Sequence, residues 1–218
     1  MKFFVDTANI DQIQEARALG ILDGVTTNPS LMAKEGITGQ DNIYEHYANI
    51  CDIVNGPVSA EVISTDFDGI VQEGRELASI RSNIYVKVPM IKEGVKAIKQ
   101  LSDEGIRINC TLVFSSAQAL LAAKAGAAIV SPFIGRVDDT GHDGVQLIEQ
   151  IVQIFDTYGY ETEVLAASVR SPLHIPQTAQ AGADIATCPF QTINDLFYHP
   201  LTDIGLEKFL NDYKKVNG

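Results

Sequence analysis

Eight short apolar segments recur along this chain, and the stretches between them carry helical spacing. The segments are 3–6, 24–27, 58–62, 84–88, 107–111, 128–133, 163–167 and 184–187. Helical periodicity shows in Ile10, Ile13 and Ala16, running on to Leu19. It shows again in Ile70, Glu73, Leu77 and Ile80, in Val95, Ile98 and Leu101, and in Val145, Ile148, Ile151, Val152 and Phe155. Asn9 followed by Gln12 reads as a capping box for the first helix. Gly105, Gly126, Gly159 and Gly182 fall where helices should stop. Eight strands alternating with helices in 218 residues imply one α/β domain over 1–218, a single (β/α)8 TIM barrel. A doubly wound open sheet is the alternative. It lacks support, since no Gly-x-Gly-x-x-Gly follows the first strand and no Gly-x-x-x-x-Gly-Lys-Ser/Thr occurs. One further helix, about 203–216, carries an apolar stripe of Leu206, Phe209, Leu210 and Tyr213. It either closes the barrel base or lies on a neighbouring subunit.

A net charge of -12 argues against nucleic acid and anionic membranes as partners. It leaves room for small anions, because two local arginines outweigh a global field. Cys51, Cys110 and Cys188 lack metal-type spacing, and their odd number without an export signal fits a reducing compartment. The first residues carry no long apolar stretch, and no apolar 18-mer occurs, so the expected location is the cytoplasm.

Polar residues stand at the C-terminal ends of the strands. Side chains alternate across a strand. With Ile84, Val86 and Val88 facing the helices, Tyr85 and Lys87 face the barrel axis. The same rule turns Phe4 and Asp6, Ser59 and Glu61, Asn109 and Thr111, and Ser131 and Phe133 inward. In a barrel these ends converge on one face. A buried ammonium is unfavourable unless it is paired or sheds its proton, and the neutral amine is a nucleophile toward carbonyls. Each residue also has a plainer role. Lys87 could carry its head to water or simply pair with Glu61. Asp6 could hold the turn 6–9, Asn109 could satisfy backbone groups, and Thr111 is a good strand former. All of them falling at the same end of different strands favours a catalytic site.

Arg136 follows the sixth segment and Arg170 the seventh, so two of six arginines fall in loops on that face. Guanidinium forks match phosphate oxygens, and Ser168 can add a hydroxyl. The plainer alternative pairs both arginines with acids such as Asp138 or Asp139.

The ordered motifs of this chain are Val5-Asp6-Thr7-Ala8-Asn9, Val25-Thr26-Thr27-Asn28-Pro29, Val86-Lys87-Val88-Pro89, Asn109-Cys110-Thr111, Ser131-Pro132-Phe133-Ile134-Gly135-Arg136 and Ala167-Ser168-Val169-Arg170. They resemble the transaldolase family, especially its short single-domain members. The resemblance implies a Schiff base on Lys87, proton transfer by Asp6, and acid–base work by Glu61 through a water shared with Thr111. It gives Asn28 and Asn109 to the three-carbon unit of the substrate, and Arg136, Ser168 and Arg170 to its phosphate, with Ser131 and Phe133 lining the site. It implies phosphorylated ketose and aldose sugars as ligands, no organic cofactor and no metal, and a homo-oligomer, a pentamer or decamer. The reaction implied moves a dihydroxyacetone unit from sedoheptulose 7-phosphate to glyceraldehyde 3-phosphate in the non-oxidative pentose phosphate pathway. The fructose-6-phosphate aldolase subgroup shares the fold and the lysine but releases free dihydroxyacetone. There a glutamine and a tyrosine stand where this chain has Glu61 and Phe133. A non-catalytic sugar-phosphate-binding protein is the remote alternative.

Overall fold

The computed structural model describes residues 1–217. Eight parallel strands close into a barrel in chain order: β1 (Lys2–Asp6), β2 (Gly24–Thr26), β3 (Val58–Glu61), β4 (Ile84–Pro89), β5 (Ile108–Val113), β6 (Ile129–Pro132), β7 (Glu163–Ala166) and β8 (Ile185–Cys188), with β8 pairing back onto β1. The expected (β/α)8 barrel is therefore the observed fold, with strand ends within two residues of the sequence reading. Around it run α1 (Ile10–Ala18), α2 (Pro29–Lys34), α3 (Gln40–Ile53), α4 (Phe67–Ile80), α5 (Lys92–Asp103), α6 (Ser116–Ala125), α7 (Ile134–Asp138), α8 (Gly144–Tyr158), α9 (His174–Gln180), α10 (Phe190–Asp195) and α11 (Pro200–Asn217). No helix among the described residues is long and apolar enough to cross a membrane.

Strand alternation produces two separate cores. Outward residues such as Val5, Val25, Val58, Val86 and Val130 pack against Ile98, Ile148 and other helix residues. Inward residues Phe4, Ile129, Leu165 and Ile185 form an apolar plug, with Tyr85 and Phe133 against it. The plug lies toward the N-terminal ends of the strands, and the polar residues lie above it. Phe4 is fully buried, and truncating it to alanine should cost about 3–5 kcal/mol. Its ring reaches across to β2, where a Cβ on Gly24 would lie 2.5 Å from ring carbons. A glycine at the start of β2 lets the plug close.

The ladder breaks once where it bears on the site. The β5–β6 register shifts between Cys110 and Val113, and Leu112 takes φ +58°. A bulge of this kind bends the strand and re-aims a side chain, and a branched residue there carries strain of about 1–3 kcal/mol. Thr111 sits inside it.

At α1 the cap is half of the expected box. Asn9 accepts the Gln12 N–H at 3.0 Å. The Gln12 side chain, however, receives the Thr7 hydroxyl at 2.8 Å, and Thr7 itself accepts the Asn9 N–H at 3.1 Å. The C-terminal helix α11 starts three residues before the expected 203. Its apolar residues, Leu201, Ile204, Leu206, Phe209, Leu210 and Tyr213 among them, are exposed. It does not bury its stripe against the barrel base.

Candidate active site

Lys87 is 6% exposed, and its ammonium has two acceptors. Nζ donates to the Thr27 carbonyl at 3.0 Å and to Glu61 Oε2 at 3.0 Å. The β3–β4 register sets Glu61 directly opposite Lys87, and the β4–β5 register sets Asn109 on its other side. The pairing weighed from sequence as the plain role of these two residues is thus present. It also holds a lysine that lines the cavity at the mouth of the barrel.

Asp6 stands across the mouth on β1. Thr26 donates to Asp6 Oδ1 at 2.8 Å, and Thr26 and Thr187 hydroxyls lie 2.6 Å apart. Burial pushes the Asp6 carboxyl above its usual value, while the Lys87 charge and the Thr26 hydroxyl pull it back. A carboxylate so placed is ready to take up a proton. A cavity of about 140 Å³ opens here, and Asp6, Asn28, Lys87, Phe133, Arg136 and Ser168 are among the residues that line it.

The chain matches the family model for transaldolase/fructose-6-phosphate aldolase over residues 3–218. Two curated relatives named probable transaldolase match end to end. The one from Phocaeicola vulgatus is 65% identical and the one from Cytophaga hutchinsonii 66%, each over 218 residues covering 100% of both chains. The chain belongs to the transaldolase/fructose-6-phosphate aldolase family. The barrel is shared more widely. A solved structure of inosine 5' monophosphate dehydrogenase from Legionella pneumophila superposes with a TM-score of 0.58 at 17% identity, over 86% of this chain and 58% of that one. At that identity the likeness concerns the fold alone.

Within this family member, the expected residues do not all stand in the same place. Asn28 lines the cavity, but its Oδ1 caps α2 by accepting the Leu31 N–H at 3.0 Å. Asn109 is fully buried. It donates to Ser59 Oγ at 3.0 Å and accepts from the Ser131 hydroxyl at 2.6 Å, so it stitches β3, β5 and β6 beneath the lysine. Thr111 Oγ1 is the one buried side-chain polar atom without a partner among the described residues. Glu61 borders a second cavity, next to Tyr47 and Met32, and is not among the residues that line the first.

The two arginines part company. Arg136 lies with its guanidinium 5.0 Å from the centre of the Phe133 ring and has no carboxylate partner among the described residues. Arg170 pairs with Asp139 at 2.5 Å, both side chains about half exposed. The plainer alternative therefore holds for Arg170 only. Ser168 adopts φ +59°, and its carbonyl receives the Gly135 N–H at 3.2 Å. A Cβ on Gly135 would lie 2.3 Å from that carbonyl and 2.9 Å from Arg170 side-chain carbons. Only glycine lets the loops after β6 and β7 close so tightly around Arg136 and Ser168.

Thr26, Thr27 and Thr187 were missed from the sequence. The alternation rule applied to β2 and β8 would have turned Thr26 and Thr187 inward beside Asp6. Thr27 acts through its carbonyl, which no residue-type pattern reveals. The three cysteines are buried, and burial pushes each thiol up to about 12, which leaves them poor nucleophiles.

Proposed function

We propose that this protein is a transaldolase acting through a Schiff base on Lys87. The observation that carries it is a buried lysine at the C-terminal mouth, hydrogen-bonded to Glu61 and lining the same cavity as a second carboxylate, Asp6. Ordinary structural pairing accounts for one carboxylate and leaves Asp6 without a purpose.

The Lys87 amine adds to the C2 carbonyl of a ketose phosphate, and the carbinolamine loses water to give an iminium. Glu61 handles the protons of that step, through a water for which the unpartnered Thr111 hydroxyl offers a hydrogen bond. Asp6 takes the proton from the C4 hydroxyl, and the C3–C4 bond breaks. Its electron pair moves into the iminium, leaving a three-carbon enamine on Lys87 while the aldose phosphate departs. An acceptor aldehyde then reverses these steps, and hydrolysis frees the new ketose. The iminium nitrogen is the electron sink, so the cycle asks for no metal or organic cofactor. The donor is sedoheptulose 7-phosphate or fructose 6-phosphate, and the acceptor is glyceraldehyde 3-phosphate or erythrose 4-phosphate. Arg136 and Ser168 hold the phosphate, Arg170 joins them by exchanging Asp139 for it, and the Asn28 amide holds the three-carbon hydroxyls.

Transfer needs the enamine to outlive the wait for an acceptor. Phe133 packs edge-on to Phe114, with ring centres 5.6 Å apart, and lies under Arg136, so this wall offers no hydroxyl proton. That supports the transferase over release of free dihydroxyacetone. The test supplies fructose 6-phosphate with and without erythrose 4-phosphate and measures sedoheptulose 7-phosphate and dihydroxyacetone separately. Transfer should dominate when acceptor is present. Rapid dihydroxyacetone release with little transfer would assign the aldolase reaction instead.

The exposed apolar residues of α11 support a homo-oligomer in which this helix lies on a neighbouring copy. A pentamer or a decamer is the assembly proposed.

A further inference from the structure

We propose that Tyr47 is a positioning residue for Lys87, its hydroxyl standing in for a missing rung of the barrel ladder. The proposal rests on Lys87 being the amine that forms the imine. In a parallel pair, hydrogen bonds are evenly spaced and slanted along the strands. Between β2 and β3, Val25 N–H donates to the Pro57 carbonyl at 2.9 Å and Thr27 N–H to the Ser59 carbonyl at 3.3 Å. The next rung of that pattern would run from Glu61 N–H to the Thr27 carbonyl. That carbonyl receives the Lys87 ammonium instead. Glu61 N–H meets the hydroxyl oxygen of Tyr47 at 3.4 Å, a side chain that reaches in from α3.

The lysine thus uses an acceptor that the sheet would otherwise claim, and Tyr47 keeps the displaced N–H satisfied. A buried N–H without a partner is costly, so the exchange needs such a substitute. The same oxygen also touches Thr27. The Thr27 hydroxyl donates either to Tyr47 at 3.2 Å or to the Ser59 carbonyl at 3.1 Å. At Tyr47 the oxygen is the acceptor for the Thr27 hydroxyl, as it is for the Glu61 N–H. Both residues that hold the lysine, Thr27 and Glu61, are then tied to one phenol. Tyr47 is 2% exposed, and burial pushes its hydroxyl above the usual phenol value, which keeps it neutral.

Its ring borders the second cavity, about 320 Å³, together with Met32, Ile43 and Leu77, and with Glu61 in the wall. The ring has room on that side. Its place is therefore fixed by the hydroxyl's hydrogen bonds as much as by packing.

The test is Tyr47→Phe, which keeps the ring and removes one oxygen. Glu61 N–H then competes with Lys87 for the Thr27 carbonyl. Imine formation with fructose 6-phosphate, followed by borohydride trapping in a single turnover, is expected to slow about tenfold, the worth of one ordinary hydrogen bond. KM should change by less than about twofold, the signature of a lost contribution to the chemical step. Leu77→Ala, in the same cavity wall without a polar tie, is the control. It should lower Tm yet leave the trapping rate within about twofold of wild type. Trapping at the wild-type rate in Tyr47→Phe would overturn the proposal. So would rate losses in both variants that simply follow their loss of Tm. Should Tyr47→Phe fail to fold, Thr27→Val removes the other hydroxyl of the pair. A slowing of about threefold is expected there, and no slowing would overturn the proposal. Wild-type protein that traps no adduct would sink the Schiff-base reading itself. Wild type that traps, matched by Tyr47→Phe, sinks only the role of Tyr47.

Discussion

Glu61 Oε2 and Lys87 Nζ lie 3.0 Å apart with side chains 16% and 8% exposed, so the two charges share one poorly solvated place. A pair of this kind adds little net stability, but removing one partner strands the other. Lys87→Met or Glu61→Leu alone should destabilise the fold by about 2–3 kcal/mol, toward the low side for buried pairs because Glu61 keeps some solvent contact. The double variant should recover most of that loss. Urea unfolding of the four proteins in a double-mutant cycle measures it. Strict additivity would show that the pair is not coupled.

Asp6 carries the pH dependence. Burial raises its carboxyl above the usual 3.8, against the opposing pulls of Lys87 and Thr26. Thr26→Val removes one of those pulls, so the carboxyl should stay protonated to higher pH. The acidic limb of the kcat profile is then expected to move upward in pH. The stability effect has the opposite use. A carboxyl raised in the folded state contributes stability below about 3.8 that is lost as pH rises through its folded value. Asp6→Asn should therefore raise Tm at pH 7, by about 2–4 °C per kcal/mol gained, while losing activity. The gain should shrink toward pH 3, and thermal melts across that range check the sign.

Arg136 is poised for an anion, and Arg170 already has one in Asp139. Arg136→Ala should weaken phosphorylated acceptors by about 10- to 100-fold in kcat/KM, the worth of a charge-assisted hydrogen bond. Unphosphorylated analogues should be nearly unaffected. Equal losses for both would mean that Arg136 merely braces the loop over Phe133.

Much of the architecture was legible because barrel strands are short, apolar and regularly punctuated. Gly126 and Gly159 end α6 and α8 in the left-handed conformation, as their positions implied. Alternation placed Phe4, Lys87 and Ser131 on the inner side, as the two cores require. Other features could not be read. Helix α6 is rich in alanine and shows no periodic stripe, so only the flanking strands imply it. The hydrogen bonds beneath the site leave no mark in the sequence. Asn109 looks like a ligand by type, and nothing in the sequence shows that its amide also ties Ser59 and Ser131 together. The hold of the Thr27 carbonyl on Lys87 is a backbone interaction, set by register and independent of side-chain identity.

Helix α11 leaves large apolar side chains in water, Phe209 at 72% and Leu201 at 70% exposure. Deleting residues 200–218 should dissociate the assembly. Light scattering is expected to fall from a pentamer or decamer to the monomer mass. A full-length protein that is already a clean monomer would rule out this use of the helix.

The most direct measurement is borohydride reduction in the presence of fructose 6-phosphate, followed by peptide mass mapping. The adduct is expected on the peptide containing Lys87, in near-stoichiometric yield, and should vanish in Lys87→Met. An adduct that persists in Lys87→Met, or no adduct in an active enzyme, would contradict the account.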